Sequence, residues 1–190
     1  KVVCVAPVAV TSSSPFCTSF ETADWPSESL NGGTDSWTRT TPNHGTVQTA
    51  YFGSKAYVTG AALYVEGARD ALYSPRFTLD TALKYEVSFF HNMQSQAGID
   101  GGLVQYSLDD VNWHQLGNTQ SDGAVYWSTT QSVLSLDGRS GWSGSWPGYK
   151  TSSLRFAISQ PSVRFRMVFG SDATVQNYGW ALDQFCVTAA

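Results

Sequence analysis

The chain has 190 residues, of which 14% are charged and 14% aromatic, and its formal net charge is −4 at pH 7. This charged fraction is well below the roughly 25% of an average soluble protein, and an acidic chain without a basic stripe is a poor partner for nucleic acid or an anionic membrane. No apolar run approaches the roughly 20 residues of a transmembrane helix. The length suits one large all-β domain.

The first fifteen residues have the composition of a linker. They contain Pro7 and the polar run from Thr11 to Pro15, and such runs resist regular structure. We therefore expect residues 1–15 to be a linker or the tail of a preceding module, and residues 16–190 to form a single domain. Because the start lacks the layout of a signal peptide, we also expect a mature piece of a larger, multidomain chain.

The remaining sequence shows strand patterns at short intervals and few helix signals. Tyr85–Phe89 and Val163–Phe169 alternate apolar and polar residues, as half-buried antiparallel strands do. Turns rich in Gly, Asn and Asp separate the segments. Roughly a dozen short strands predict an all-β, two-sheet antiparallel sandwich. The other predicted strands are Trp37–Thr41, Lys55–Thr59, Ala62–Glu66, Gly102–Ser107, Trp113–Leu116, Val125–Ser128 and Leu154–Ile158.

The stretch from Asp137 to Ser153 contains several glycines among large aromatic residues. Long loops in compact domains usually bind something or are disordered, and the aromatic residues argue against disorder. We predict an exposed aromatic platform that stacks on sugar rings, although the same residues can instead cover the sandwich edge. The platform candidates are Trp127, Trp142, Trp146 and Tyr149. We assign the tryptophans of predicted strands, Trp37, Trp113 and Trp180, to the core.

Two acidic residues lie in strand-like apolar segments near opposite ends of the chain. Asp183 is in the run Gly179–Val187, where a period of two places it among apolar residues, and Glu21 directly follows Phe20. A buried carboxylate persists only if it is hydrogen-bonded, ion-paired or bound to a metal. If the first and last strands are neighbours, one cation could satisfy both. Otherwise Glu21 caps a strand end or pairs with Arg39, and Asp183 accepts backbone donors.

Three cysteines, Cys4, Cys17 and Cys186, allow at most one internal disulfide. Neighbouring first and last strands would bring Cys17 close to Cys186, and we predict that bridge. Antiparallel pairing of Glu21 with Asp183 leaves these cysteines one residue out of register, on opposite faces unless a bulge intervenes. A Cys4–Cys17 bridge is therefore an alternative, as are three free thiols in a cytosolic protein.

Several short motifs occur along the chain in a characteristic order and spacing. They are Phe20-Glu21, Trp37, Gly53–Val58, Leu72–Phe77, Asp100–Ser107, Asn112-Trp113, Gly141–Gly144, Arg164–Arg166, Gly170–Asp172 and Gly179–Asp183. Their order and spacing resemble the MAM-type and cleaved-adhesin jelly rolls of secreted bacterial adhesins and protease accessory domains. The similarity spans residues 16–188 and implies a concanavalin-like jelly-roll sandwich that has no catalytic activity of its own.

The resemblance also implies a cofactor. In that family the Glu after Phe and the Asp of the final strand commonly hold a structural calcium ion, which assigns calcium to Glu21 and Asp183. Because calcium takes roughly six to eight oxygen ligands, we expect further ligands from the nearby turn, namely Asn31 and Asp35.

No catalytic signature accompanies this pattern, since the sequence has neither H-E-x-x-H nor G-x-S-x-G. We therefore expect a non-catalytic adhesion or carbohydrate-binding module, secreted or on the cell surface, whose partner is a glycan or an extracellular protein. Two alternatives stay open. One is a polysaccharide-active enzyme with a pair of carboxylates, and the other is a structural or protein-interaction module that accompanies a secreted protease.

Overall fold

The computed structural model describes residues 6–43, 45–60, 62–117 and 131–190. These ranges form fourteen β-strands and a 3₁₀ turn at Leu134–Leu136. The strands are β1 (Val8–Ala9), β2 (Phe16–Thr18), β3 (Ser27–Ser29), β4 (Trp37–Thr40), β5 (Ala56–Thr59), β6 (Arg69–Thr78), β7 (Tyr85–Gln94), β8 (Gly101–Ser107), β9 (His114–Gln115), β10 (Gln131–Val133), β11 (Arg139–Ser143), β12 (Lys150–Phe156), β13 (Ser162–Gly170) and β14 (Gly179–Ala189).

The strands form two sheets packed face to face. The front sheet has the order β1-β6-β13-β8-β11-β10, with β3 beside β6 and β9 beside β8. The back sheet has the order β12-β7-β14-β5-β4, with β2 beside β14. Among the described strands only β1 pairs in parallel, with β6. This architecture confirms the predicted all-β, two-sheet antiparallel sandwich of the jelly-roll type.

Alternation along the strands separates the core from the outer faces. In β13, Val163, Phe165 and Met167 belong to the main core, whereas Arg164 and Arg166 line the opposite face. Successive side chains of a strand point to opposite faces, so each apolar residue of the core leaves its neighbours outside. On the outer face of the front sheet, β13 consequently presents Arg164 and Arg166.

A disulfide and a β-bulge close the fold at its termini. Cys17 of β2 and Cys186 of β14 are direct partners in the pairing and form the disulfide, with their Cα atoms 4.1 Å apart. The register of β14 against β7 shifts between Asp183 and Cys186, and Gln184 has a left-handed φ of 45°. This bulge removes the one-residue offset between the cysteines that simple alternation gives. Cys4 lies outside the described residues.

Two predicted elements differ in the structure, and one strand was not predicted. The segment 62–66 is irregular because Gly60, at φ 84°, turns the chain so closely that a side chain there would meet the carbonyl of Leu63 at 2.6 Å. The predicted loop 137–153 instead contains β11 and the start of β12. Strand β6 is absent from the predicted strands. It contains Pro75, which lies at a register shift between β6 and β13, one of the places where a strand tolerates proline.

The segment that we assigned to a linker contacts the sandwich in its described part. Val8–Ala9 pairs with Phe77 and Thr78 of β6, and Val10 is buried. The division of the chain into residues 1–15 and 16–190 stays a prediction. In the described ranges, no helix has the length and apolar character that crossing a membrane requires.

Candidate functional site

A second hydrophobic cluster lies on the outer face of the front sheet, separate from the main core. The cluster contains one residue from each of three neighbouring strands: Tyr73 of β6, Leu103 of β8 and Val168 of β13. Leu136 of the 3₁₀ turn and Trp113, which directly precedes β9, pack against these strands. Two clefts open to solvent lie beside this cluster. Together they form a groove on the outer face of the sheet.

Trp113 borders two clefts of this groove. The first, which we call the arginine cleft, has a volume of about 120 Å³, and the second, which we call the carboxylate cleft, has a volume of about 260 Å³. Trp113 itself is half-buried. The arginine cleft is lined by Arg69, Leu103, Gln105, Trp113, Arg139 and Arg166, among others. The carboxylate cleft is lined by Ser27, Glu28, Tyr73, Asp110, Trp113 and Arg164, among others.

Two arginines of β13 contact the aromatic rings of the groove. The guanidinium carbon of Arg166 lies 4.2 Å from the centroid of the Trp113 indole, and that of Arg164 lies 4.9 Å from the centroid of the Tyr73 ring. The Tyr73 and Trp113 rings meet edge to face, with centroids 5.5 Å apart. Cation–π contacts of this kind attract through the ring quadrupole, so the arginines and rings hold each other in place.

Hydrogen bonds join these side chains into a chain across the sheet. Arg166 donates from Nε to Oε1 of Gln105 at 2.7 Å and from Nη1 to the hydroxyl of Tyr73 at 3.3 Å. The Tyr73 hydroxyl donates in turn to Oε1 of Glu28 at 2.6 Å. Burial and the bond to the Glu28 carboxylate raise the pKa of Tyr73, so Tyr73 stays protonated as a donor at physiological pH.

The groove carries an excess of positive charge. Five arginines lie in or beside it, against the four carboxylates of Glu28, Asp35, Asp110 and Asp137, although the whole chain has a net charge of −4. Asp137 contacts Arg69, and Asp110 pairs with Arg76 at 2.5 Å and with Arg164 at 4.0 Å. The arginines are Arg69, Arg76, Arg139, Arg164 and Arg166.

The predicted aromatic platform is not formed, and this prediction was wrong for Trp142. That residue is 2% exposed, because Arg139–Ser143 continues as strand β11 and turns the indole into the core. There it packs against Phe89, His91 and Trp180. A side chain enclosed in this way has no face to offer a sugar ring.

The other platform candidates lie in separate places. Trp146 is half-buried against the core, with its ring centroid 5.5 Å from that of His91. Tyr149 is half-buried on the outer face of the back sheet, beside Val58 and Ala181. Trp127 lies outside the described residues. The structure therefore brings none of the described candidates together as one surface.

Glu21 and Asp183 flank the loop 51–55, which supplies donors to both carboxylates. Oε1 of Glu21 accepts the amides of Ser54 and Lys55 at 2.8 and 2.7 Å, and Oε2 accepts the Ser54 hydroxyl at 2.9 Å. Asp183, which is fully buried, accepts the amides of Phe52 at 2.8 Å and Gln184 at 2.7 Å. Burial raises the pKa of Asp183, with a smaller contribution from the Glu21 charge, whereas the backbone donors lower the pKa of Glu21.

The other two predicted metal ligands are engaged elsewhere. Asn31 accepts the Ser29 hydroxyl at 2.8 Å and donates to the carbonyl of Gly67 at 2.7 Å. Asp35 accepts the Ser27 hydroxyl at 2.5 Å and the Trp37 amide at 3.0 Å. These contacts tie Asn31 to the last residue of β3 and Asp35 to its first residue, on the front sheet.

The four predicted ligands do not form a calcium site in the described residues. Calcium needs a shell of oxygen ligands, but Asn31 and Asp35 are bonded at β3, and N–H groups of the loop 51–55 and of Gln184 already solvate the carboxylates of Glu21 and Asp183. Nor do the residues described here contain a group of three or more His, Cys, Asp or Glu side chains placed to hold a metal. Burial therefore no longer calls for a cation at Glu21 and Asp183, and the expectation of calcium rests on the resemblance alone.

His91 has no features of a catalytic base. It is fully buried, and burial lowers its pKa to about 3. Its Nδ1 accepts the indole N–H of Trp180 at 3.0 Å, which leaves Nε2 as the donor to the Ser152 hydroxyl at 2.9 Å. Both nitrogens are thus used within the core, and the neutral imidazole has a structural role.

Sequence reasoning missed the groove because it placed Trp113 in the core. The signal that could have found it is the alternation in β13, where Arg164 and Arg166 occupy the positions between Val163, Phe165 and Met167. Two large cations on one face of a central strand need partners, and aromatic side chains on neighbouring strands supply them.

Comparison with known proteins shows which solved structures have a similar fold. The sequence matches no family model and no curated protein. The K2 cleaved adhesin domain of Lys-gingipain is 15% identical and superposes with a TM-score of 0.56 over 94% of this chain and 99% of that chain. The K3 cleaved adhesin domain of Lys-gingipain from Porphyromonas gingivalis is 16% identical, with a TM-score of 0.51 over 91% and 97% of the two chains.

A further similar structure is that of TmCBM61 in complex with β-1,4-galactotriose, which is 13% identical with a TM-score of 0.54 over 90% of each chain. At these identities the similarity establishes a shared fold. This structural similarity confirms the resemblance to cleaved-adhesin domains at the level of fold. The MAM-type part of the resemblance is not tested by it.

Proposed function

We propose that the protein is a non-catalytic module of a secreted or cell-surface protein and that it binds a glycan in the groove on the outer face of the front sheet. The observation that carries the proposal is the position of Trp113, a half-buried indole that borders both clefts and is surrounded by hydrogen-bonding side chains. Aromatic surface combined with a few placed polar groups is the usual composition of a small-molecule site.

The polar groups of the carboxylate cleft suit sugar hydroxyls. Glu28 and Asp110 present acceptor oxygens, and Arg164 and Ser27 present donors. Each of these side chains is already held by a neighbour, as Glu28 is by Tyr73, so little side-chain freedom is lost when a ligand binds. The shared fold with TmCBM61, solved in complex with β-1,4-galactotriose, and with two cleaved adhesin domains supports the same conclusion.

A glycan array probed with the purified chain tests the proposal. We expect binding to one class of oligosaccharide, and we expect Trp113→Ala to abolish it while circular dichroism stays unchanged. Phe52→Ala is the matched control, because Phe52 is an aromatic residue that is 57% exposed and lies in the loop beside Asp183, on the back sheet. Binding that survives Trp113→Ala, or an array without any signal, would contradict the proposal and favour a protein-interaction module.

An enzyme remains the alternative to exclude, because two carboxylates line the same cleft. Glu28 accepts the Tyr73 hydroxyl and Asp110 pairs with Arg76, so both carboxylates already have partners within the fold. We expect no hydrolysis of any oligosaccharide that the array identifies. Turnover that is lost in Glu28→Gln and Asp110→Asn would show catalysis instead.

A further inference from the structure

The arginine cleft differs from the carboxylate cleft in its charge. Arg69, Arg139 and Arg166 all line it, and Gln105 and Trp113 complete its polar and aromatic wall. The only carboxylate that contacts these arginines among the described residues is Asp137, which pairs with Arg69. Among the described residues, only one of these three guanidinium groups thus forms a salt bridge.

Arg166 illustrates the imbalance. Its hydrogen bonds go to neutral acceptors, the amide oxygen of Gln105 and the hydroxyl of Tyr73. Burial lowers the pKa of Arg166 and the like charge of Arg139 adds to this, whereas the bond to Tyr73 and the more distant charge of Glu28 oppose it. Neither Arg139 nor Arg166 forms a salt bridge within the part of the chain that the structure describes. An anion that enters beside these two guanidinium groups would therefore gain charged partners that no carboxylate already pairs directly.

The size and shape of the cleft suit a small oxyanion. Its volume of about 120 Å³ is enough for several water molecules and therefore for a small oxyanion. Planar guanidinium groups bind oxyanions through two parallel N–H···O bonds, which fixes the orientation of the bound group. Trp113 separates this cleft from the carboxylate cleft, so a sugar chain that passes the indole can place an acidic substituent among the arginines.

We propose that the arginine cleft binds an oxyanion carried by the sugar chain, so that the module selects acidic glycans over neutral ones. This inference rests on the proposed function and gives that site its substrate class. The oxyanion can be the carboxylate of a uronic acid or a sulfate ester, which share the same recognition chemistry.

Three polysaccharide probes separate these sources: neutral galactan, polygalacturonate and a sulfated galactan, each measured by calorimetry at low and high salt. We expect the acidic polymers to bind at least about tenfold more tightly than neutral galactan, since one charge-assisted hydrogen bond contributes that much. Their affinity should fall with salt, as screening predicts. Whether the carboxylated or the sulfated polymer binds more tightly identifies the source.

Two arginine variants and a matched control complete the test. Arg139→Gln, at an exposed position, should reduce the affinity for the acidic polymers to that for neutral galactan without affecting folding. Arg166→Lys, which keeps the charge but loses the planar fork, should cause a smaller loss. Arg155→Gln is the control, because Arg155 is an exposed arginine on β12 of the back sheet, paired with Glu86.

Equal binding of neutral and acidic polymers, or an acid preference that survives Arg139→Gln, would overturn this inference while leaving the proposed glycan binding intact. If none of the three polymers binds and the glycan array is also blank, the proposed function fails together with the inference.

Discussion

Arg166 and Trp113 form a stacked pair on the outer face of the front sheet, with the guanidinium carbon 4.2 Å from the indole centroid. The pair joins two strands that are distant in sequence, because Arg166 belongs to β13 and Trp113 precedes β9 beside β8. Gln105 and Tyr73 hold the guanidinium in position through its Nε and Nη1 atoms. The groove is therefore shaped by a side-chain network that is already in place before a ligand binds.

The first prediction concerns the energy of this pair. We expect a double-mutant cycle of Arg166→Met and Trp113→Leu to give a coupling free energy of about 1 kcal/mol, since partly desolvated cation–π pairs contribute about 0.5–2 kcal/mol. Urea unfolding of the wild type, both single variants and the double variant measures it. A cycle with no coupling would show that the two side chains are merely adjacent.

The second prediction concerns the disulfide between β2 and β14. Cys17 and Cys186 are separated by 169 residues in sequence, so their bond closes nearly the whole chain into a loop. Crosslinks of this kind stabilise by about 2–5 kcal/mol, largely through the unfolded chain. We expect Cys17→Ser with Cys186→Ser to lower the unfolding free energy by that amount, measured by chemical denaturation. The wild type in reducing agent should match the double variant, and a double variant as stable as the oxidised protein would contradict the prediction.

Sequence alone predicts the class of this fold because alternation is a local property. Tyr85–Phe89 and Val163–Phe169 alternate apolar and polar residues, and both lie in strands. The bulge at Gln184 is not local in this sense, since it depends on how β14 pairs with β7. Simple alternation predicts that Asp183 shares a face of β14 with Phe185 and Val187. In the structure Phe185 and Val187 lie in the main core, whereas Asp183 lies on the opposite face.

The site was harder to predict than the fold, for a related reason. Trp142 and Trp113 both lie in or beside short strands, and only the pairing of those strands decides which face each indole occupies. β11 pairs with β8 and directs Trp142 inward, whereas Trp113 packs on the outer cluster. The glycines around Trp142 favoured a loop, yet Gly141 and Gly102 allow close approach of β11 to β8, since a side chain on Gly141 would meet the carbonyl of Gly102 at 2.5 Å.

The third prediction concerns pH and His91. Because burial lowers the folded-state pKa of His91 to about 3, below the value of about 6.5 for an unfolded histidine, the folded state favours the neutral ring. The stability that His91 contributes is therefore fully present above pH 6.5 and is lost as the pH falls toward the folded pKa. We expect unfolding free energies to decline across that window with a slope that includes up to about 1.4 kcal/mol per pH unit from this residue.

Denaturation of the wild type and of His91→Gln at pH 7, 6 and 5 isolates the His91 contribution. The variant is expected to be less stable at pH 7, since it loses the bonds to Trp180 and Ser152, but its stability should decline less steeply as the pH falls. Parallel curves for the two proteins between pH 7 and pH 5 would show that His91 does not control this dependence.

The fourth prediction concerns the contact between Gly53 and Glu21. A side chain at Gly53 would lie 2.5 Å from the carboxyl carbon of Glu21, and Gly53 has φ 71°. Gly53→Ala should therefore displace the Glu21 carboxylate from the amides of Ser54 and Lys55 and lower the unfolding temperature. Gly67→Ala is the matched control, because Gly67 has φ 61° and open space around it. A difference between the two variants, measured by thermal unfolding, isolates the contact from the backbone strain that both share.

The fifth prediction decides between backbone amides and calcium as the partners of Glu21 and Asp183. Since Phe52, Ser54 and Lys55 already donate to these carboxylates, we expect the unfolding temperature to be the same in excess calcium and in excess EGTA. Isothermal titration with calcium should likewise give no heat of binding. An unfolding temperature that falls by several degrees in EGTA, and that Asp183→Asn makes insensitive to calcium, would show instead that a calcium ion joins the two ends of the fold and that the loop 51–55 rearranges to admit it.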